Sequence, residues 1–184
     1  MKLVVTTAED MRLLGVRLAG LMQAGDLLLL TGDLGAGKTT LTQGIAAGLC
    51  TPGPVLSPTF VVARLHRGGR LPLLHVDAYR LADLTDVDDL DLDADIAESV
   101  TVVEWGAGRA EQLAEDRLEL RIERRDTDEV RTVQLAAVGP RWAGTTLADL
   151  AANAAVVDRS GCPLGTGPPA GQDQASSSPS GGQR

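Results

Sequence analysis

A mostly parallel central sheet with added antiparallel strands and flanking helices, in an α/β arrangement, is what this sequence predicts. Three observations carry that expectation. The apolar run Leu27-Leu28-Leu29-Leu30 feeds a glycine-rich segment and then a helix-like stretch, giving the order strand, loop, helix. Two further apolar runs, 73–76 and 100–103, each end on an acid, Asp77 and Glu104. Late in the chain, Leu118-Glu119-Leu120-Arg121-Ile122-Glu123 alternates strictly and is followed by Val130 to Val138 across the polar turn Arg125 to Glu129. Such alternation marks half-exposed strands that pair with one another.

The elements follow in order. Lys2 to Thr6 reads as a short strand, and Thr7 with Asp10 three residues on resembles a capped helix start. Leu13, Leu14, Leu18, Leu21 and Met22 recur at spacings of three and four, which predicts one apolar helix face, and Gly25 supplies a stop. After the leucine strand, a second helix is predicted from Thr39 to Leu49, ended by Thr51-Pro52-Gly53-Pro54. Ser57-Pro58-Thr59-Phe60 opens a strand running from Val61 to His66. Arg67-Gly68-Gly69-Arg70 then turns the chain back into Leu73 to Tyr79, an antiparallel pair inside an otherwise alternating chain. Arg80 to Ser99 is acidic and punctuated by leucines at helical spacing. Val100 to Glu104 is a buried strand closed by Trp105-Gly106, and Ala107 to Glu115 is predicted as a short helix. Thr145 to Val157 reads as a weak alanine-rich helix. Beyond Gly161 the chain is rich in Gly, Pro, Ser and Gln, a composition that buries too little surface to offset its ordering entropy. The expected division is a domain at 1–142 and a low-complexity, disordered tail at 143–184.

The chemistry begins after the leucine strand. Gly32-Asp33-Leu34-Gly35-Ala36-Gly37-Lys38-Thr39-Thr40 satisfies G-x-x-x-x-G-K-[ST] between a strand and a helix, the context a phosphate-binding P-loop requires. Glycines let the backbone turn so that successive N–H groups point at phosphate oxygens, and the helix N-terminus adds its positive dipole end. Lys38 is placed to reach the β- and γ-phosphates and Thr39 to offer its hydroxyl to Mg2+. Of 17 basic residues only Lys2 and Lys38 are lysines. Arginine is the habitual cation of this chain, yet a compact ammonium stands where the loop uses one. The fold class is therefore P-loop NTPase-like.

Composition narrows the field. With 184 residues and 43% hydrophobic content the chain can bury one proper core, built from Leu, Val, Ile and Ala because aromatics amount to Phe60, Tyr79, Trp105 and Trp142. The formal charge of −8 argues against gripping nucleic acid directly, since phosphate neutralisation needs a basic face. Cys50 and Cys162 have neither metal-ligand nor C-x-x-C spacing and are read as structural or incidental. The sequence has no apolar run of membrane-spanning length and no basic-then-apolar start, so a cytoplasmic protein is expected.

Hydrolysis or transfer also needs an acid near Mg2+, normally at the tip of a neighbouring buried strand. Asp77 and Glu104 are the two candidates. One is expected to bind the metal or its water shell and the other to orient water or hold Thr39, with the assignment open between them. Thr59, set by Pro58 in an extended segment, is placed to meet the γ-phosphate and Mg2+ as a switch threonine does. Asp91, Asp93 and Asp95 alternate, but Ile96 stands where a calcium loop needs glycine and Val102 where it needs glutamate, which rejects an EF-hand. A solvated helix face or a protein-contact surface remains for residues 83–98. His66 and His75 have no partner spacing for a metal.

Gly32 to Thr40, Ser57-Pro58-Thr59-Phe60, His75-Val76-Asp77-Ala78-Tyr79-Arg80-Leu81 and Val103-Glu104-Trp105, in this order and spacing, resemble the bacterial TsaE family. The resemblance covers about residues 1 to 142. It implies an ATPase that assists the TsaB–TsaD enzyme in making threonylcarbamoyladenosine beside the tRNA anticodon, with ATP hydrolysis serving the cycle of that complex. It further implies Lys38 on the phosphates, Thr39 and Glu104 on Mg2+, Asp77 supporting the phosphate and metal site, and Thr59 in a switch-like segment. Arg131 matches a basic position near the nucleotide in relatives, and the segment around Thr7 matches the border of the adenine. Partners are then a TsaB–TsaD-like complex, with tRNA only indirectly engaged and no membrane.

Other P-loop classes make demands this sequence tests. A GTPase carries N-K-x-D to read guanine, but the only asparagine is Asn153. A small-molecule kinase needs an arginine-bearing lid and an acceptor pocket, and the arginines from 109 to 131 fall mostly on exposed strands and a turn. A non-catalytic nucleotide sensor shares every binding residue with the ATPase reading.

Overall fold

Strand β2 (Leu27–Thr31) is the axis of the sheet, and each of its four leucines is at most 1% exposed. Around it in chain order lie β1 (Lys2–Val5), α1 (Ala8–Ala19), α2 (Lys38–Gly48), β3 (Ala63–His66), β4 (Leu73–Asp77), α3 (Asp93–Glu98), β5 (Val100–Glu104), β6 (Arg117–Arg124) and β7 (Arg131–Val138). This is a computed structural model, and it describes residues 1–58, 61–80, 93–124, 129–146 and 150. The seven strands form one sheet in the order β1-β7-β6-β2-β5-β4-β3. β4, β5, β2 and β6 run parallel, while β3, β7 and β1 pair antiparallel with their neighbours.

The pattern of burial explains the division. β2, β4 and β5 are buried on both faces and are near-continuous apolar runs, as parallel strands covered on two sides must be. On one face Leu28, Leu30, Val100 and Val102 pack with Met11, Leu18, Leu41 and Ile45 of α1 and α2. On the other Leu27, Leu29, Leu74, Val76 and Val103 pack with Ala110. β6 alternates instead, with Leu118, Leu120 and Ile122 turned to the helices and polar residues between them.

The two helices meet closely. A Cβ at Gly44 would lie 2.1 Å from the Arg12 carbonyl oxygen, so α2 can approach α1 only through a residue without a side chain. Thr7 and Asp10 form the expected capping box, and α1 ends at Ala19 with Gly20 as its cap rather than continuing towards Gly25, whose φ of 85° belongs to the turn into β2. Leu13, expected on the apolar face, is instead 37% exposed, because Met11, Leu14, Gly15 and Leu18 set the buried face of α1.

Residues 107–115 do not form the predicted helix. Gly108 takes φ 74° and only Glu111–Leu113 winds into a single 3-10 turn, because glycines at 106 and 108 interrupt the helical register before it can nucleate. Below the sheet, Arg141 donates through Nε and Nη2 to Asp26 at 3.1 and 2.9 Å, beside the buried Trp142. Thr59, most of the acidic stretch (81–92), the turn at 125–128 and the chain from 151 onward lie outside the described residues.

Candidate functional site

At the C-terminal end of β2 the chain turns at Gly32, whose φ is 145° and whose Cβ, if present, would fall 2.3 Å from the Ile122 carbonyl oxygen. Only glycine fits there. Gly37, with φ 111°, then starts α2 as a left-handed N-cap without a side-chain acceptor, and the first turn of α2 carries no acid. The amides of that turn and the helix dipole therefore point their positive end outward, which suits an anion.

Lys38 is 5% exposed, and its Nζ donates to the carbonyls of Gly32 and Asp33 at 2.7 and 3.0 Å. The same ammonium sits 3.6 Å from the centre of the Trp105 ring, a cation–π contact made possible by φ 62° at Trp105 just beyond β5. Burial pushes the Lys38 ammonium below its ordinary value, and the carboxylates of Glu104, Asp77 and Asp33 oppose that push.

The two acids end adjacent parallel strands in register, Asp77 directly opposite Glu104. Both are buried, at 5% and 3% exposed. The Thr39 hydroxyl donates to Glu104, 2.9 Å from Oε1 and 3.2 Å from Oε2. His75 Nε2 lies 2.9 Å from Glu104 Oε1. Asp77 Oδ1 accepts the Tyr79 amide at 3.1 Å. Lys38, Thr39, Asp77 and Glu104 face a cleft of about 520 Å³ bounded also by Leu34, Ser57, Tyr79 and Trp105, with the Tyr79 and Trp105 rings tilted against each other at 5.1 Å, while His75 lies buried behind it. Arg109 donates to the Ala78 carbonyl and so braces the turn that follows Asp77.

Of the residues singled out from sequence, Gly35, Gly37, Lys38, Thr39, Thr40, Asp77 and Glu104 line this one cleft. Gly32 and Asp33 lend their carbonyls to Lys38, and Ala36 is buried behind the loop. Arg131 opens β7 across from Val5 and Arg124, pairs with Glu129, and does not line the cleft. Thr59 falls outside the described residues, but Ser57 borders the cleft, and Pro58 and Asp77 are tied together through Val62, which donates to one and accepts from the other at 2.8 Å. Sequence reasoning passed over His75, Tyr79 and Trp105 as members of the site. For His75 a signal existed: it precedes Asp77 by two residues in a strand, so both side chains take the same face.

Among the described residues no cluster of three or more His, Cys, Asp and Glu could hold a metal alone. Mg2+ does not require one, because it keeps waters and phosphate oxygens and takes one or two protein oxygens. Thr39 and Glu104, already in contact beside Asp77, are a donor set of that kind.

A glycine-rich loop between a central parallel strand and a helix, with acids on the neighbouring strand tips, defines a P-loop-like α/β protein. The family model described as threonylcarbamoyl adenosine biosynthesis protein TsaE matches residues 5–133, and the chain belongs to that family. A Streptomyces coelicolor protein named tRNA threonylcarbamoyladenosine biosynthesis protein TsaE is 56% identical over 147 residues, 77% of this chain and 99% of that one. The Bacillus subtilis protein of the same name is 42% identical over 135 residues, 73% of this chain and 84% of its own. The crystal structure of Bacillus subtilis YdiB superposes with a TM-score of 0.65 at 32% identity, covering 84% of this chain and 93% of that one.

Proposed function

We propose that this chain binds and hydrolyses ATP with Mg2+ as an accessory protein of tRNA threonylcarbamoyladenosine formation, and that hydrolysis drives the cycle of a TsaB–TsaD-type complex. The observation that carries this reading is the contact of Thr39 with Glu104 at the mouth of the P-loop, beside Asp77 and the buried Lys38. Thr39 and Glu104 would hold Mg2+, which supplies charge neutralisation across the β- and γ-phosphates when bound.

The chain's own residues do the rest. Lys38 exchanges the Gly32 and Asp33 carbonyls for phosphate oxygens, a better partner for an ammonium than neutral carbonyls. The first-turn amides of α2 take the remaining phosphate oxygens. Asp77, opposite Glu104 and held by the Tyr79 amide, supports the metal's water shell or aligns the attacking water. The direct Thr39–Glu104 bond favours Glu104 over Asp77 as the acid that shares the cation with the P-loop.

The test is phosphate release from ATP by this chain alone and with a TsaB–TsaD pair. Turnover that rises with the pair supports the reading, and phosphoryl transfer to a small acceptor without partners would sink it. Lys38→Ala should abolish turnover and weaken nucleotide binding about a hundredfold or more, being a phosphate-contacting cation in a water-poor site.

A further inference from the structure

We propose that His75 is a positioning residue for Glu104, holding one carboxylate oxygen so that the other stays presented to a Thr39-bound magnesium ion; this rests on the reading of Thr39 and Glu104 given above. His75 is fully buried on β4, on the face that Asp77 shares. An ionised carboxylate accepts but cannot donate, so at 2.9 Å the ring must carry a proton on Nε2 and donate it to Oε1. Nδ1 is then buried with no hydrogen-bond partner among the described residues. An unmet polar nitrogen in a dry site opposes folding, and an apolar residue of similar size would avoid it. The donor at Nε2 is what the histidine offers in exchange.

Its use follows from the geometry of Oε1. That oxygen receives both the Thr39 hydroxyl and His75. When Thr39 turns its lone pairs to a cation, His75 still holds Oε1, so the carboxylate does not rotate and Oε2, 3.2 Å from the Thr39 hydroxyl, stays beside that cation. This is the arrangement in which a partner behind a metal ligand fixes its orientation.

The test measures ADP binding to the whole chain as a function of MgCl2, in wild type, His75→Leu, His75→Asn, His75→Gln, Glu104→Ala and the Glu104→Ala/His75→Leu double variant, each checked by thermal unfolding. A glutamine amide reaches the Nε2 position, whereas an asparagine amide stops short of it. His75→Leu and His75→Asn should each raise the half-saturating Mg2+ concentration roughly tenfold with Mg2+-free ADP binding unchanged, and His75→Gln should recover most of the loss. In the Glu104→Ala background, His75→Leu should change nothing further. Equal Mg2+ dependence in wild type and His75→Asn overturns the assignment. An undiminished effect in the Glu104→Ala background also overturns it, because a packing role does not pass through Glu104. If His75→Leu fails to fold, the Asn and Gln variants decide the question, with Glu104→Ala/His75→Asn as the double variant. Wild type whose ADP binding ignores Mg2+ would instead overturn the parent reading, and this one with it.

Discussion

Two buried acids stand at opposite ends of the β2–β5 pair, and the sequence equips them in opposite ways. Asp26, just before β2, is 5% exposed and fully answered: Arg141 grips both of its oxygens, and the Gln23 amide adds a third donor at 2.8 Å. Glu104, in register with Leu30 at the far end of β2, is 3% exposed and among the described residues receives a hydroxyl and an imidazole but no arginine. Removing a carboxylate from water is costly unless a countercharge and hydrogen bonds replace the lost solvation. At Asp26 that replacement is complete within the chain. At Glu104 it is partial among the described residues, with Lys38 a nearby cation, and Glu104 borders a cleft. One end is closed for stability; the other is held open at a cost in stability.

Glu104→Gln gives the largest test of this contrast. It keeps the shape and both neighbours while removing the charge, so ATP turnover should fall about a hundredfold or more. The unfolding midpoint of the nucleotide-free protein should stay or rise, since a buried charge without a full partner has been removed. A variant that lost stability and kept turnover would reverse the roles assigned to the two ends. Arg141→Ala makes the opposite cut. It strands Asp26 and also uncovers the Trp142 ring, over which the guanidinium lies at 4.2 Å. Because Arg141 is 29% exposed, the expected loss is about 2–3 kcal/mol by denaturant titration, at the lower edge of a buried pair. Nucleotide affinity per folded molecule should not change. A large drop in affinity would mean that the two ends are coupled through β2.

How much of this was visible in the chain itself depends on sequence distance. The P-loop was legible because its geometry is local: Gly32, Gly37, Lys38 and Thr39 act within eight residues. Asp77 and Glu104 were legible because each ends an apolar run, and parallel pairing of two such runs brings their tips together. The late antiparallel pair was legible from its alternation. His75 was legible only as a residue on the face of Asp77, and Trp105 not at all, because each gains its role from a partner on another element, Glu104 and Lys38 respectively. The Asp26–Arg141 clasp spans 115 positions and leaves no periodic trace. Residues 107–115 misled because their helix formers outnumber the single Gly108, yet it and the preceding Gly106 decide the local path.

A third acid gives the comparison its smallest and most controlled test. Asp10 uses the same kind of donor as Glu104, since its Oδ2 accepts the Thr6 hydroxyl at 2.6 Å and the Thr7 amide at 3.0 Å, but its hydrogen bonds are solvent-exposed. The side-chain hydrogen bonds from Thr6 and Thr7 lower its carboxyl below the ordinary value of 3.8, outweighing slight desolvation. As pH falls, the unfolded chain therefore takes up this proton before the folded one does. The stabilisation from Asp10 is fully present above pH 3.8 and is lost as pH drops through the lower folded value. Asp10→Asn should then unfold at a lower urea concentration than wild type at neutral pH, and the gap should narrow below that point until the two curves converge. The gap should also shrink in high salt, because these contacts are screened by water and ions, whereas the deficit of Arg141→Ala should hardly respond. A pH-independent gap would mean that Asp10 acts through helix capping geometry alone. In that case a carboxylate answered only by hydroxyl and amide donors would draw no net benefit from its charge, and the open, cation-receptive state inferred for Glu104 would have to rest on burial rather than on its choice of donors.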